Sequence, residues 1–219
     1  MDKRKFLILC LFVLLITVVF PISLRGQDDI DDKVQAFLDR YRWRDMNVPK
    51  SDGRALYDII VENGYTRALE IGTSTGHSSI WIAWALSKTG GKLITLEIDE
   101  SRHKTALKNF EEAEVLDYID ARLGNAHVIT TELEGLFDFV FSDADKNWYT
   151  NYAKILLPKL TIGGCYTTHN VSQPNPTRGF GRRRGGNSEY VEFLLGQPNL
   201  KTTFIMSGSG LSVSYKTAE

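Results

Sequence analysis

Residues 68–78 read Ala68-Leu69-Glu70-Ile71-Gly72-Thr73-Ser74-Thr75-Gly76-His77-Ser78. A short apolar run passes into a glycine-containing turn and then into a helical run over 78–87, which predicts a strand, a tight turn and a helix. Glycine lets the backbone approach a ligand closely, and the free N–H groups of a helix N-terminus attract polar groups. The stretch therefore predicts a ligand-binding turn in an α/β domain.

Strand-like and helical runs alternate along the rest of the chain. Buried strands are predicted over 67–71, 93–98, 137–141 and 165–168, and helices over 31–42, 51–62, 101–112 and 149–157. Ser51 or Asp52 is predicted to cap the second helix, and residues 162–164 are predicted to form a turn. Two runs over 202–206 and 211–215, joined by 207–210, predict a closing hairpin. The order indicates a doubly wound, mostly parallel sheet.

The bulk composition fits one globular domain over residues 27–219. The chain has 219 residues, of which 42% are hydrophobic and 24% charged, and this excludes a disordered protein. The formal net charge of -1 provides no overall field that would attract nucleic acid. We therefore expect no nucleic-acid partner.

Residues 1–26 are predicted to be a signal peptide or a signal anchor. Basic residues 3–5 precede an uninterrupted apolar run over 6–20. The positive charge before this run predicts a cytoplasmic N-terminus and a domain on the extracytoplasmic side, exported or anchored to the membrane. Cleavage and retention both remain open. Cys10 lies within the segment, so Cys165 has no partner for a disulfide inside the domain.

The first turn favours S-adenosylmethionine over a dinucleotide. Its G-x-x-x-G spacing lacks the third glycine of the dinucleotide fingerprint, and the carboxylate of Glu70 would disfavour a pyrophosphate. Glu97 ends the next strand, where an acid can accept the hydroxyl groups of a ribose. Residues 124–127, with Asn125 and Ala126 among them, are predicted to line the adenine.

Polar side chains also follow two later strands. Asp143 and Lys146 come after one apolar run, and His169 and Asn170 end the next. Asp143, His169 and Asn170 could converge on a divalent metal with open positions for substrate. A hydrogen-bonded histidine at a strand end is the alternative for His169.

These motifs together resemble the catechol and caffeoyl-CoA O-methyltransferase family over about residues 46–211. The resemblance rests on 46–48 with Gly53, on 70–78, on Glu97, on Phe141-Ser142-Asp143-Ala144-Asp145-Lys146, on 163–164 with 169–171, and on 208–211. It implies a Rossmann-like α/β fold with a seven-stranded sheet, a small-molecule hydroxyl acceptor of phenolic or catecholic type, and dimers. It implies donor-binding roles for Val48, Glu70, Gly72, Ser74, Gly76, Ser78, Glu97, Asn125, Ala126 and Asp143. It also implies that Asp143 binds metal and that Lys146 is the catalytic base.

One residue departs from the family pattern. His169 stands where the family has a second metal-binding aspartate. An imidazole removes a negative charge and a hard ligand, so Mg²⁺ should bind less well and Mn²⁺, Fe²⁺ or Zn²⁺ relatively better. Alternatively, metal dependence is lost and His169 acts as a catalytic base.

Two other functions compete with methyl transfer. One is a dinucleotide-binding oxidoreductase of the NAD type. The other is a catalytically impaired donor-binding protein on the same scaffold. The arginines at 178 and 182–184 are predicted to lie in a loop that selects an anionic or aromatic acceptor or contacts an acidic lipid headgroup.

Overall fold

The computed structural model describes residues 29–173 and 188–219. The predicted N-terminal targeting segment and the arginine-containing loop lie outside this range. In the part that is described, no helix is both long and apolar enough to cross a membrane.

Helices and strands alternate as the sequence predicts. The helices are α1 (29–40), α2 (Lys50–Asn63), α3 (His77–Thr89), α4 (Glu100–Glu112), α5 (Ala126–Glu132), α6 (Tyr149–Leu156) and α7 (Ser188–Leu195). The strands are β1 (Arg67–Ile71), β2 (Lys92–Glu97), β3 (Ile119–Leu123), β4 (Phe137–Ser142), β5 (Leu160–His169), β6 (Leu200–Ile205) and β7 (Leu211–Lys216). Short 3₁₀ turns lie at Leu116–Tyr118, Lys146–Trp148 and Leu157–Lys159.

The strands form one seven-stranded sheet in the order β3-β2-β1-β4-β5-β7-β6. The first five are parallel neighbours, and β7 runs antiparallel between β5 and β6. Strand order reverses between β1 and β4, so the carboxyl ends of these strands border a crevice where ligands bind in open α/β sheets. The predicted Rossmann-like sheet with antiparallel C-terminal strands is confirmed.

Both faces of the sheet are covered by helices. One apolar cluster joins the sheet to α6 and α7 through Tyr152 and Leu194, and another joins it to α2 and α3 through Leu56 and Ile82. A third, aromatic cluster packs α1 against α3 and α4. These buried layers hold the strand ends, and therefore the crevice, in a fixed arrangement.

Two local predictions were wrong. Neither Ser51 nor Asp52 caps α2, because the helix begins earlier, after Pro49, with no side-chain cap. Residues 162–164 are not a turn but part of β5, where the pairing with β4 shifts register between Phe137 and Phe139. Gly163 has a φ of 82°, a conformation that glycine adopts easily and that accommodates this irregularity.

Candidate active site

A cavity of about 560 Å³ lies at the carboxyl ends of β1, β2, β4 and β5. This volume suits a small-molecule ligand. Residues of the turns after β1 and β2 form one end, and residues that follow β4 and β5 form the other. The site predicted from sequence therefore corresponds to one continuous cavity.

Glu97 organises the end of the cavity formed by β1 and β2. One carboxylate oxygen accepts hydrogen bonds from the backbone N–H groups of Ile98 and Asp99, at 3.0 and 2.9 Å. The other accepts from the backbone N–H of Ser74 at 2.7 Å. The side chain is thus held rigidly at the cavity wall, and its oxygens keep further lone pairs for ligand hydroxyl groups.

Ser74 carries an unused polar group at the same wall. Its hydroxyl oxygen is buried and has no hydrogen-bond partner among the described residues. Its φ is 50°, so the turn holds the residue in the left-handed region. A buried hydroxyl without a partner is unusual in a folded protein, and a polar ligand in the cavity would supply one.

Gly72 serves packing as well as access to a ligand. Its φ is 100°, and a Cβ at this position would lie 2.9 Å from the carbonyl oxygen of Asp143. The turn after β1 can therefore pack directly against the segment after β4 only because residue 72 has no side chain.

Glu70 lies behind the cavity rather than in its wall. The carboxylate is fully buried and accepts hydrogen bonds from the hydroxyls of Ser79 and of Thr95. Burial raises the pKa of Glu70 to about 7, although hydrogen bonds from Ser78, Ser79 and Thr95 act in the opposite direction. The expectation that its charge meets the cationic end of a donor does not fit this placement.

The ten predicted donor-binding residues fall into two groups. Six line the cavity: Gly72, Ser74, Glu97, Asn125, Ala126 and Asp143. The other four, Val48, Glu70, Gly76 and Ser78, are absent from its wall and support it. The carbonyl oxygen of Val48 lies 2.8 Å from Nδ1 of His77, and Gly76 precedes α3 with a φ of 97°.

Lys146 lies at the opposite end of the cavity, exposed in the 3₁₀ turn after β4. The neighbouring Asp145 is 3.0 Å from Nε2 of His127, and the ring of His127 stacks on Trp148 with centroids 3.7 Å apart. The turn that carries Lys146 is thereby tied to the start of α5.

His169 lies between two carboxylates. Its Nδ1 is 3.1 Å from Oδ2 of Asp143, and its Nε2 is 2.9 Å from Oδ2 of Asp52. Burial alone would lower the pKa of His169, but the two aspartates together raise it above its ordinary value. Both ring nitrogens are thus engaged by carboxylates, and the roles of metal ligand and base stay predictions for His169.

Two of the three predicted metal ligands, Asp143 and His169, form a hydrogen-bonded pair. In residues 29–173 and 188–219, no three His, Cys, Asp or Glu side chains are grouped so that they could hold an ion. The metal site at Asp143, His169 and Asn170 stays a prediction.

Asp52 is a site residue that the sequence did not reveal. It is fully buried and also accepts a hydrogen bond from the backbone N–H of Ser209 at 2.9 Å. Its position one turn into a helix resembled a cap, and nothing in the sequence pairs it with a residue 117 positions away. His127 belongs to the stretch 124–127 that was predicted to line the adenine, and it lines the cavity.

Comparison with known proteins agrees with this geometry. The model of the O-methyltransferase family matches residues 24–173. A catechol O-methyltransferase of Niastella koreensis is 44% identical over 107 residues, covering 47% of this chain and 48% of the relative. Caffeoyl-CoA O-methyltransferase 1 of Eucalyptus globulus is 29% identical over 188 residues, covering 80% and 76% of the two chains.

Solved structures show the same fold. The O-methyltransferase TomG of Streptomyces achromogenes, solved with S-adenosylmethionine, superposes with a TM-score of 0.70 at 25% identity, covering 86% of this chain and 89% of that one. An O-methyltransferase of Bacillus cereus, solved with S-adenosylhomocysteine, gives 0.69 at 23% identity, covering 86% and 91%. The oxidoreductase alternative is therefore wrong, and the chain belongs to the O-methyltransferase family.

Proposed function

We propose that the protein transfers the methyl group of S-adenosylmethionine to a phenolic or catecholic hydroxyl group of a small molecule. The observation that carries this proposal is the single cavity that joins Glu97 and Ser74 at one end to Lys146 at the other. A donor held at the first end can present its methyl group to an acceptor bound beside the second. Related proteins named for catechol and caffeoyl-CoA support this acceptor class.

The donor end suits an adenosyl group. The carboxylate of Glu97 is positioned by three backbone N–H groups and can still accept from ribose hydroxyls. Ile98 and Ala126 line the same part of the cavity and offer apolar surface to a base. Asp143 also lines the cavity, and its negative charge complements the cationic amino acid portion of the donor.

Lys146 is the candidate base at the acceptor end. Its amine, when neutral, takes the proton of the acceptor hydroxyl, and the resulting oxyanion is a far better nucleophile. The donor supplies an electrophilic methyl group: the oxygen–carbon bond forms while the carbon–sulfur bond breaks, and its electron pair stays on sulfur. The protein's main contribution is to align the two substrates and move the proton.

Calorimetry and a methylation assay test this proposal together. We expect the protein to bind S-adenosylmethionine and S-adenosylhomocysteine, and to methylate members of a panel of phenols and catechols. Glu97→Ala should weaken donor binding by about 10- to 100-fold, since hydrogen bonds to a charged group contribute about 1.5–3 kcal/mol. Glu100→Ala is the matched control, because Glu100 pairs with Lys104 on the exposed surface of α4.

Two outcomes would reject the proposal in different ways. No affinity for either donor form in folded protein would reject the donor site. Donor binding without methylation of any acceptor would favour a catalytically impaired binding protein instead.

We also propose, on the sequence of residues 1–26, that the domain lies on the extracytoplasmic side, exported or held at the membrane. N-terminal sequencing and membrane fractionation of the native protein would test this. A fully cytosolic, unprocessed protein would contradict it.

A homodimer, as the family resemblance implies, is a separate proposal. Sedimentation analysis of purified protein would test it, and a monomer at all concentrations would contradict it.

A further inference from the structure

The Asp52–His169–Asp143 triad crosses three separate parts of the fold. Asp52 is on α2, His169 ends β5, and Asp143 follows β4. His169 and Asp143 both line the cavity beside Lys146. The triad therefore lies at the acceptor end, in the place where the family pattern predicts a metal.

The buried carboxylate of Asp52 is stabilised by its neighbours in the triad and the adjoining loop. It is fully buried, and a buried carboxylate is costly unless a cation and hydrogen-bond donors compensate it. Within the described part of the chain, its close partners are Nε2 of His169, the backbone N–H of Ser209 and, at 3.4 Å, the hydroxyl of Ser51. His169 is the basic side chain in this set.

Both ring nitrogens of His169 are engaged by carboxylates. Nδ1 lies 3.1 Å from Oδ2 of Asp143, and Nε2 lies 2.9 Å from Oδ2 of Asp52. A metal ligand needs a ring nitrogen whose lone pair is aimed at the ion, whereas in this arrangement both nitrogens are occupied by carboxylate oxygens.

The loop before β7 holds Asp52 in place. A Cβ on Gly208 would collide with the carboxylate of Asp52, so the loop before β7 packs directly on it. Ser209 donates its backbone N–H to the same oxygen, Oδ2, that lies next to His169, while Gly208 packs against Oδ1. Rotation of Asp52 away from His169, which would free Nε2, is opposed by this contact.

We propose that the Asp52–His169–Asp143 triad replaces the divalent metal of this site, so that the enzyme needs no metal and accepts isolated phenolic hydroxyls. A metal that chelates two adjacent oxygens selects vicinal diols. Without it, the acceptor needs one hydroxyl within reach of Lys146. This inference rests on the proposed methyl transfer, and His169 acts in it as a positioning residue that holds Asp143.

Manganese binding gives a readout independent of activity. We expect chelator-treated wild-type protein to show no bound Mn²⁺ by electron paramagnetic resonance. His169→Asp should gain a site, because a carboxylate restores a hard ligand beside Asp143. His169→Asn is the matched control that removes the imidazole without adding a carboxylate, and it should bind none.

A double variant keeps the test valid if His169→Asp does not fold. His169→Asp adds a negative charge next to buried Asp52, so the double variant Asp52→Asn/His169→Asp is measured beside it. Stoichiometric Mn²⁺ binding by the wild type that His169→Asn abolishes would overturn the inference.

Acceptor selectivity and donor binding complete the test. We expect the affinity for S-adenosylmethionine to be unchanged by chelator, and kcat/KM for a catechol and its single-hydroxyl analogue to agree within about tenfold. A site whose polar groups bind the second hydroxyl would make the two kcat/KM values differ by about 10⁴-fold, and that result would overturn the inference. Absence of donor affinity with and without chelator would instead refute the proposed function, while the Mn²⁺ result would still decide the role of His169.

Discussion

His169 lines the cavity and His77 lies outside its wall; both are buried, and their partners differ. His77 lies 2.8 Å from the carbonyl oxygen of Val48 through Nδ1, and its Nε2 accepts from the indole of Trp81 at 3.3 Å. Burial lowers the pKa of His77 to about 4. His169 is as buried as His77, yet its two aspartate neighbours raise its pKa.

The difference shows that partners, rather than burial alone, decide in which direction the pKa of a buried histidine moves. A carbonyl and an indole suit a neutral ring, whereas neighbouring carboxylates favour the protonated form. His77 thus supports the donor end as a neutral ring, and the acceptor end is lined by ionisable side chains. The two ends should respond differently to mutation and to pH.

The largest expected effect is at Lys146. Lys146→Ala should lower kcat by about 10²- to 10⁴-fold, the usual contribution of a general base. Donor affinity should stay unchanged, because Glu97 and Ser74 lie at the other end. Steady-state kinetics with calorimetry measures both, and Lys108→Ala, exposed on α4, is the control. Loss of donor affinity equal to the loss of kcat would remove the distinction between the two ends.

Removing the charge of Asp52 should cost stability. Asp52→Asn keeps the shape of the side chain but leaves His169 with one carboxylate, and breaking a buried ion pair costs about 3–5 kcal/mol. Asp58→Asn on the same helix breaks a half-exposed pair with Arg54 and should cost less than about 1 kcal/mol. Chemical denaturation measures both. Equal losses for the two variants would mean that the triad is not a buried ion pair.

His77 should make stability fall in acid. Its pKa is about 4 in the folded protein and 6.5 when unfolded, so the unfolded chain binds more protons between these values. The contribution of neutral His77 is complete above pH 6.5 and is lost as the pH falls toward 4. We expect wild type to lose about 2 kcal/mol relative to His77→Gln between about pH 7 and pH 5.

The comparison with His77→Gln is necessary because Glu70 acts in the opposite direction. Its folded pKa of about 7 lies above the unfolded value of 4.5, so its contribution to stability is lost as the pH rises between them. Both proteins keep Glu70, and the difference between their stability curves isolates His77. Parallel curves for the two proteins would contradict the neutral assignment.

The fold was predictable because its signals are local. Apolar runs such as 137–141 and the turn from Gly72 to Gly76 indicate strands and a helix start within a few residues. The irregular β5 around Gly163 was missed because it depends on pairing with β4, and the start of α2 was placed too late although Pro49 marks it locally. Propensity is a weak guide where tertiary contacts decide the boundary.

The sequence predicted several residues of the site, but not the contacts between them. Glu97, Asp143, Lys146 and His169 were placed at strand ends, and all four line the cavity. The placement of Glu70 and the pairing of His169 with Asp52 were not predicted, because no sequence pattern reports which side chains meet across a crevice. Such contacts decide whether an acid is a ligand, a buried support or a partner for a histidine.

The smallest expected effect concerns Ser74 and has opposite signs for folding and binding. Ser74→Ala removes a buried hydroxyl without a partner among the described residues, so stability should stay equal or rise slightly. Donor binding should weaken by about 1 kcal/mol, or about fivefold, because the donor would lose one hydrogen bond. Thermal unfolding and calorimetry test the two signs, with Ser87→Ala at the far end of α3 as the control. If Ser74→Ala reduces stability and leaves donor affinity intact, the hydroxyl stabilises the fold and does not bind the donor. The donor end would then offer Glu97, but not Ser74, as a hydrogen-bonding partner.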